Sequence, residues 1–341
     1  MTDLWKSVVI GTEKSLLDAI NVLNKTGLEI VLVCDENYRF SGTVTDGDIR
    51  KGLVRGIVLT DPISTVVNEN ASAVTMETDK RTITNLFKNF FFKAIPIVDS
   101  KNYLVGCHFA HNYGLPEVEM PPLLIMAGGF GTRFGDLTKS TPKPLLKIRG
   151  KPIIEHIIDT AVDDGIKKIV ISVHYLADQI KNYFGDGSSK DIDITYINEK
   201  KPLGTAGSFQ MIEQTSGPVV VTNGDIVSFV GYRDLLDFHQ SHDATATMAV
   251  CDHEIRHQFG VVKINDIDLV GFEEKPIWKT KINAGIYVID ASSKAISNSG
   301  EAIQMPALFE RIRDRGGKTI AFPIHERWFD IGTASDLQAQ Q

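Results

Sequence analysis

From residue 123 onward the chain alternates short apolar runs with stretches of helical spacing. Residues 123–127 read Leu-Leu-Ile-Met-Ala, apolar throughout and too short for a typical helix, as expected of a strand buried on both faces. Residues 152–162 follow a 3.6-residue period, with Ile153, Ile154, Ile157, Ile158 and Ala161 on one face. Further strands are predicted at 169–173, 192–197 and 219–222, with helices at 177–184 and 206–214. Alternation of this kind predicts an α/β fold, a mostly parallel sheet with helices on both faces. Ligands of such sheets bind beyond the carboxyl ends of the strands.

The first 115 residues follow a different pattern, an internal repeat. Residues 30–42, Ile-Val-Leu-Val-Cys-Asp-Glu-Asn-Tyr-Arg-Phe-Ser-Gly, align with 94–106, Ala-Ile-Pro-Ile-Val-Asp-Ser-Lys-Asn-Tyr-Leu-Val-Gly. Asp35 pairs with Asp99 and Gly42 with Gly106. A helix precedes each unit, with Leu16, Ala19, Ile20 and Leu23 on one face of the first, and Ile83, Leu86, Phe87 and Phe90 on one face of the second. Each unit then runs strand, turn, strand. The repeat resembles a tandem pair of CBS domains. In that family a Gly-x-x-Thr-x-x-Asp ending sets the Asp on the ribose of an adenosine nucleotide, and here Thr45 and Asp48 fit it. Phe109 and Asn112 stand at the matching places of the second unit, so the resemblance implies one nucleoside site. The other reading of Asp48 is a cap on the helix that follows. Gly and three prolines between Asn112 and Pro122 read as a linker. The predicted organisation is 1–115 CBS pair, 116–122 linker and 123–341 catalytic domain.

Charge and cysteine content narrow the class. The 36 basic and 43 acidic residues give a net charge of -7 with no run of one sign, which argues against a nucleic-acid surface. Cys34, Cys107 and Cys251 lie far apart without metal-type spacing and read as reduced thiols of a cytoplasmic protein. The N-terminus has no basic head with an apolar core behind it, and no apolar run approaches the ~20 residues that cross a bilayer, so neither secretion nor a membrane partner is expected.

The chemistry concentrates at 126–144, Met-Ala-Gly-Gly-Phe-Gly-Thr-Arg-Phe-Gly-Asp-Leu-Thr-Lys-Ser-Thr-Pro-Lys-Pro. Gly128, Gly129 and Gly131 follow a buried strand and expose backbone N–H groups, while Arg133 and Lys143 add two cations, an arrangement suited to a polyphosphate. A Walker A loop would end in Gly-Lys-Ser/Thr, which is absent, and a dinucleotide fingerprint beginning at Gly129 would need glycine where Phe134 stands. The stretch instead resembles the signature of the sugar-1-phosphate nucleotidyltransferases, Gly-x-Gly-Thr-Arg followed by Pro-Lys-Pro-Leu. Five further segments continue that resemblance in order: Gly204-Thr205-Ala206-Gly207, Asn223-Gly224-Asp225, Phe272-Glu273-Glu274-Lys275-Pro276, Asn283-Ala284-Gly285-Ile286-Tyr287 and Trp328-Phe329-Asp330-Ile331-Gly332-Thr333.

The resemblance implies a Rossmann-like sheet of the GT-A type and transfer of a nucleoside monophosphate from an NTP to a sugar 1-phosphate, with release of pyrophosphate. The attacking phosphate oxygen is already anionic, so the chemistry needs charge neutralisation rather than a general base. Mg²⁺ suits this, being hard and content with few carboxylates and several phosphate oxygens; the implied ligands are Asp225 and Asp330. Arg133 is expected on the β and γ phosphates, Lys143 between the α-phosphate and the sugar phosphate, and Lys275 on the sugar phosphate. Ala127, Gly128, Gly129, Gly131, Thr132, Gly204, Thr205 and Ala206 are expected around the nucleotide, and Gly207, Glu274 and Asn283 around the sugar phosphate. The histidines show no metal-ligand spacing, and His174 reads as structural.

The combination of modules resembles bacterial guanylyltransferases that make GDP-glucosamine for legionaminic acid synthesis, which implies GTP and glucosamine 1-phosphate. Pro-Leu-Gly-Thr-Ala-Gly is shared with mannose-1-phosphate guanylyltransferases and some uridylyl enzymes, so a mannose-1-phosphate guanylyltransferase or another hexose-1-phosphate uridylyl- or cytidylyltransferase is the alternative, and no left-handed β-helix domain is expected after Asp336. A homo-oligomer is expected because CBS pairs stack. The rival of another class is an adenine-nucleotide sensor with an inactive transferase fold; retention of Arg133, Lys143, Asp225 and Asp330 favours the enzyme.

Overall fold

The computed structural model describes residues 3–90, 92–113, 119–213, 217–296 and 300–340. The chain divides into two compact units, Met1–Val118 and Glu119–Gln341. Residues 116–118 of the expected linker, and Gln214 of the expected helix at 206–214, fall outside the described residues, as does the side chain of Phe90.

The first unit contains β1 (Val9–Gly11), α1 (Leu16–Thr26), β2 (Val31–Cys34), β3 (Phe40–Val44), α2 (Asp46–Val54), α3 (Lys80–Phe90), β4 (Ala94–Val98) and β5 (Leu104–Phe109). Its two hairpins, β2–β3 and β4–β5, repeat each other down to single hydrogen bonds. Asp35 Oδ1 accepts from the backbone N–H groups of Asn37 (2.8 Å) and Arg39 (2.9 Å). Asp99 Oδ1 accepts from Lys101 and Tyr103, both at 2.9 Å. Each aspartate therefore closes its turn through its own side chain. The turn residues Tyr38 (φ 63°) and Asn102 (φ 67°) share the left-handed conformation. The turns also meet, because Phe40 N donates to Asn102 O and Leu104 N to Tyr38 O, both at 2.9 Å. The predicted faces are buried: Leu16, Ala19 and Ile20 on α1, Ile83 and Phe87 on α3.

The second unit holds a seven-stranded sheet. In chain order its elements are β6 (Leu123–Met126), the short pair β7 (Lys147–Ile148) and β8 (Lys151–Pro152), α4 (Ile153–Asp163), β9 (Lys168–Val173), α5 (Ala177–Phe184), β10 (Asp193–Asn198), α6 (Gly204–Gly207), β11 (Pro218–Asn223), β12 (Ile226–Ser228), α7 (Tyr232–Ser241), β13 (Ala246–Arg256), β14 (Val261–Asn265), β15 (Asp268–Glu273), β16 (Ile277–Asp290), α8 (Met305–Asp314), β17 (Thr319–Pro323), β18 (Trp328–Asp330) and α9 (Ala334–Ala339). The sheet order is β10-β9-β6-β11-β16-β13-β17. β16 runs antiparallel to both neighbours, and the other four pairings are parallel. One apolar cluster includes Ile154, Ile157 and Ile158 of α4, and the other includes Leu308 and Ile312 of α8. Strand side chains alternate between the two clusters: Leu123 and Ile125 join the first, Leu124 the second.

One expectation needs correction. The helix foreseen at 206–214 is a single α turn, Gly204–Gly207, continued by a 3₁₀ turn at Ser208–Met211. Its backbone is drawn sideways: Ala206 N donates to Ile303 O (3.0 Å) and Ile303 N to Leu203 O (2.9 Å). Two glycines in the first turn lower the helix propensity that could have resisted this.

Candidate active site

The central strands β6 and β11 are adjacent and parallel, with Met126 paired to Asn223. Their carboxyl ends deliver the glycine loop and the Asn-Gly-Asp segment side by side. Ala127 N donates to Ser172 O (2.9 Å) and Gly224 N to Met126 O (2.8 Å), which fixes the point where both loops leave the sheet. Asp225 then leads directly into β12. That strand pairs antiparallel with β18, setting Ile226 opposite Asp330, and Ile331 N donates to Asp225 O (3.2 Å). Two aspartates 105 positions apart in the sequence thus become cross-strand neighbours.

Lys143 reaches the same place from the loop. It lies in a 3₁₀ turn between Pro142 and Pro144 and is only 8% exposed. Its Nζ donates to Asp225 Oδ2 at 2.5 Å and stands 5.1 Å from the ring centre of Phe134. Gly131 (φ 65°) backs against it: a Cβ there would sit 3.2 Å from Lys143 Cβ and 2.9 Å from Thr138 Cγ2. Arg133 Nη1 and Asp330 Oδ1 both lie within 3.8 Å of the point where a Cβ on Gly332 would stand. Burial raises the pKa of Asp330 and the charge of Asp225 raises it further, with Lys143 and Arg133 opposing. The structure therefore gathers Arg133, Lys143, Asp225 and Asp330 into one cluster of two cations and two carboxylates. That donor set fits a small hard cation which completes its shell with phosphate oxygens and water.

The remaining expected residues stand at varying distances from this cluster. Asn283 Oδ1 accepts from Gly285 N (2.9 Å) and its Nδ2 donates to Tyr287 Oη (2.8 Å). Burial drives the pKa of Tyr287 up to about 12, and Asp225 contributes to the shift, so Asn283 and Tyr287 adjoin the cluster. Thr132 is exposed at the start of its 3₁₀ turn, and Gly129 has open space around it. Gly204, Thr205 and Gly207 are tied to the segment before α8. Thr205 Oγ1 donates to Gln304 Oε1 (3.1 Å) and accepts from Met305 N (2.8 Å). A Cβ on Gly207 would meet Leu203 Cβ at 2.5 Å.

Gly204 has φ 75°, and a Cβ there would meet Ile303 O at 2.6 Å. Gly204→Ala should therefore lower folding stability by about 1–3 kcal/mol, through backbone strain and a displaced 203–206 turn. Thermal and urea melts of the two proteins check this.

Glu274 and Lys275 are not drawn into the cluster. Both are exposed, 4.0 Å apart, at the root of the β14–β15 hairpin. In the first unit, Asp48 Oδ2 accepts from Thr45 N (3.0 Å) and Thr45 Oγ1 (2.7 Å), forming a capping box at the start of α2. The helix-cap reading of Asp48 thus has direct geometric support. His174 Nδ1 stands 2.7 Å from Glu199 O, and the buried His239 lies between Thr247 Oγ1 (2.9 Å) and Asp290 Oδ1 (3.4 Å). Both histidines brace the fold.

Glu199 escapes the sequence reading. It follows β10, is 9% exposed, and accepts from Ser172 Oγ (2.6 Å) and Leu203 N (3.0 Å). Its Oε1 lies 3.1 Å from the point where a Cβ on Gly128 would stand, so a buried carboxylate joins the glycine loop to the 203–207 turn. Its position just past the end of a predicted strand was the available signal. Asn223 Oδ1, in the Asn-Gly-Asp segment, is buried beside Gly285 without a hydrogen-bond partner among the described residues.

The sheet, the glycine loop at its carboxyl edge and the paired aspartates define an α/β nucleotide-handling domain. Residues 123–341 match the family profile described as Nucleotidyl transferase, and the chain belongs to that family; residues 1–55 match the CBS domain. The chain is 32% identical over 226 residues to the mannose-1-phosphate guanylyltransferase catalytic subunit beta of Drosophila pseudoobscura pseudoobscura, covering 63% of this chain. It is 32% identical over 225 residues to the mannose-1-phosphate guanyltransferase of Hypocrea jecorina, again covering 63% of this chain. The matches span 60% to 62% of the length of such curated relatives. Among solved structures, HddC from Yersinia pseudotuberculosis superposes with a TM-score of 0.51 at 25% identity, covering 65% of this chain and 98% of that chain. No helix among the described residues is long and apolar enough to cross a membrane.

Proposed function

We propose that the protein is a sugar-1-phosphate nucleotidyltransferase using GTP. The observation that carries this reading is the four-residue cluster of Arg133, Lys143, Asp225 and Asp330 at the carboxyl end of the central strands. A phosphate oxygen of the sugar 1-phosphate attacks the α-phosphorus of the triphosphate. The bond from that phosphorus to the bridging oxygen of the β-phosphate breaks, and pyrophosphate leaves with the electron pair. No proton need move. Lys143, held in a confined place, neutralises the α-phosphate and the incoming phosphate. Arg133 stabilises the departing pyrophosphate, and the glycine loop donates backbone N–H groups to the triphosphate. Asp225 and Asp330 would hold Mg²⁺, which when bound supplies charge neutralisation at the reacting phosphates. Asn283 faces the sugar hydroxyls. Lys275 takes the sugar phosphate and Glu274 a sugar hydroxyl, which requires their hairpin root to approach the cluster.

The names of the relatives support guanine as the base and mannose 1-phosphate as an acceptor. The pairing of CBS units with this catalytic domain supports glucosamine 1-phosphate as the other. The test is pyrophosphate release with the four NTPs crossed against mannose, glucosamine and glucose 1-phosphates in Mg²⁺. We expect release with GTP and one of the first two sugars; silence across the whole panel overturns the enzyme reading. AMP or ATP binding at Thr45 and Asp48 should raise the melting temperature; no shift at millimolar nucleotide leaves Asp48 as a helix cap alone.

A further inference from the structure

Residues 174–179, His-Tyr-Leu-Ala-Asp-Gln, carry the chain from β9 into α5 and meet the 128–144 loop at both of its ends. At the entry, the ring of Phe130 stands edge-on to His174, with centres 5.3 Å apart, and tilted against Tyr175 at 5.7 Å. At the exit, Tyr175 Oη donates to Lys139 O (3.0 Å) and Gln179 Nε2 donates to Ser140 O (2.9 Å). Between these holds the loop is tied to itself. Thr138 Oγ1 and Phe134 N both donate to Gly131 O at 2.9 Å. Arg133 lies inside the gripped span, and Lys143 follows Ser140 closely. The gripping segment is itself fixed from behind. His174 Nδ1 stands 2.7 Å from Glu199 O. Leu176, between Tyr175 and the helix, has φ 52°, an unfavourable conformation for a residue with a Cβ, which persists only where the surroundings determine it.

We infer that Tyr175 and Gln179 are positioning residues, a clamp that holds the loop so that Arg133 and Lys143 stand at the reacting phosphates. Their effect on rate rests on the nucleotidyl-transfer reading above; the clamp itself rests on geometry alone. α5 does not need these two donors to stay in place, because the buried Ile180 and Phe184 hold it to the core of the sheet. A solvent-side hydrogen bond also adds little to global stability. Its consequence is local. The loop is built from 3₁₀ turns at Thr132–Thr138 and Lys143–Leu145, which have few regular backbone bonds, so its position depends on what holds it from outside. Tyr175 and Gln179 bond to its carbonyls and thereby leave its N–H groups for phosphate oxygens. Precision matters here, since a catalytic group misplaced by about 1 Å can cost about 10²-fold in rate.

Tyr175→Phe combined with Gln179→Met removes both donors while keeping the ring against Phe130 and the length of the second side chain. In pyrophosphate-release assays of the full chain with GTP, the double variant should lose about tenfold or more in kcat, and its KM for GTP should rise. Its KM for the sugar 1-phosphate should stay within about twofold and its melting temperature within about 2 °C, a split that general loosening of the fold would not give. Tyr183→Phe is the matched control: on the same helix its hydroxyl donates to Glu155 Oε2 (2.9 Å), and kcat should not change. An unchanged kcat in the double variant overturns the positioning role, as does a loss shared by Tyr183→Phe or one accompanied by a fallen melting temperature. A second measurement needs no substrate. The Lys139 side chain is 77% exposed, but trypsin can cut after it only when the loop leaves the clamp, so the cleavage rate follows the open population. Cleavage at that bond, identified by fragment mass, should be about fivefold or more faster in the double variant and unchanged in Tyr183→Phe. Equal rates in wild type and double variant overturn the clamp whether or not the protein releases pyrophosphate. Faster cleavage in a protein that is silent with every substrate pair would keep the clamp and remove the reaction it serves.

Discussion

An Asp225→Asn enzyme is expected to lose turnover by about 10³-fold or more while remaining folded. Asparagine keeps the shape and can still accept a hydrogen bond from Lys143 Nζ, which now lies 2.5 Å from the carboxylate. What disappears is the negative charge. One of the two proposed cation ligands becomes a weak neutral donor, and Lys143, 8% exposed, loses its nearest counter-charge. The loss should fall on kcat, because the glycine loop and the 203–207 turn, which we propose bind the nucleotide, lie outside the substitution. Steady-state pyrophosphate release, a nucleotide-binding titration and a thermal melt separate these effects. Unchanged turnover with an unchanged melt would remove Asp225 from the reacting centre.

Asp225 also shows where sequence alone runs out. Its neighbourhood was legible, since the apolar runs at 123–127 and 219–222 and the glycines between strand and helix located a carboxyl-end site. The repeat of the first unit was legible for a related reason: Asp35 and Asp99 act locally, within four residues of their partners, so their spacing already carries their role. That Lys143 neutralises Asp225 was not legible, because the contact depends on β6 and β11 lying side by side and on a turn that aims one lysine inward. Glu199 was missed on the same grounds. A single Glu in Asn-Glu-Lys-Lys-Pro reads as solvated charge until tertiary contacts with Ser172 and Leu203 bury it. No strand is predicted at 261–273, because the side chains of the β14–β15 hairpin are mostly exposed and leave no core-facing apolar period to read.

Replacing Lys143 by alanine should cost about 10²–10³ in turnover, the usual loss when a donor aimed at developing charge is removed. Lys143→Arg should fail to restore it. The guanidinium is broader than an ammonium and directs a rigid fork of donors, while Gly131 and Phe134 wall the lysine closely. A second consequence concerns the resting protein. The ammonium already neutralises Asp225, and its charge opposes the rise in the Asp330 pKa. Without it, two carboxylates face each other with Arg133 as the remaining cation of the cluster. The alanine protein should therefore melt lower than wild type in a metal-free buffer, and millimolar Mg²⁺ alone, without nucleotide, should raise its melting temperature more than that of the wild type. The comparison separates two roles that activity alone would merge. A lysine serving only the phosphates would leave the Mg²⁺ response of the two proteins equal. A lysine that also holds the carboxylate pair would make the metal bind weakly until a polyphosphate draws the ammonium away.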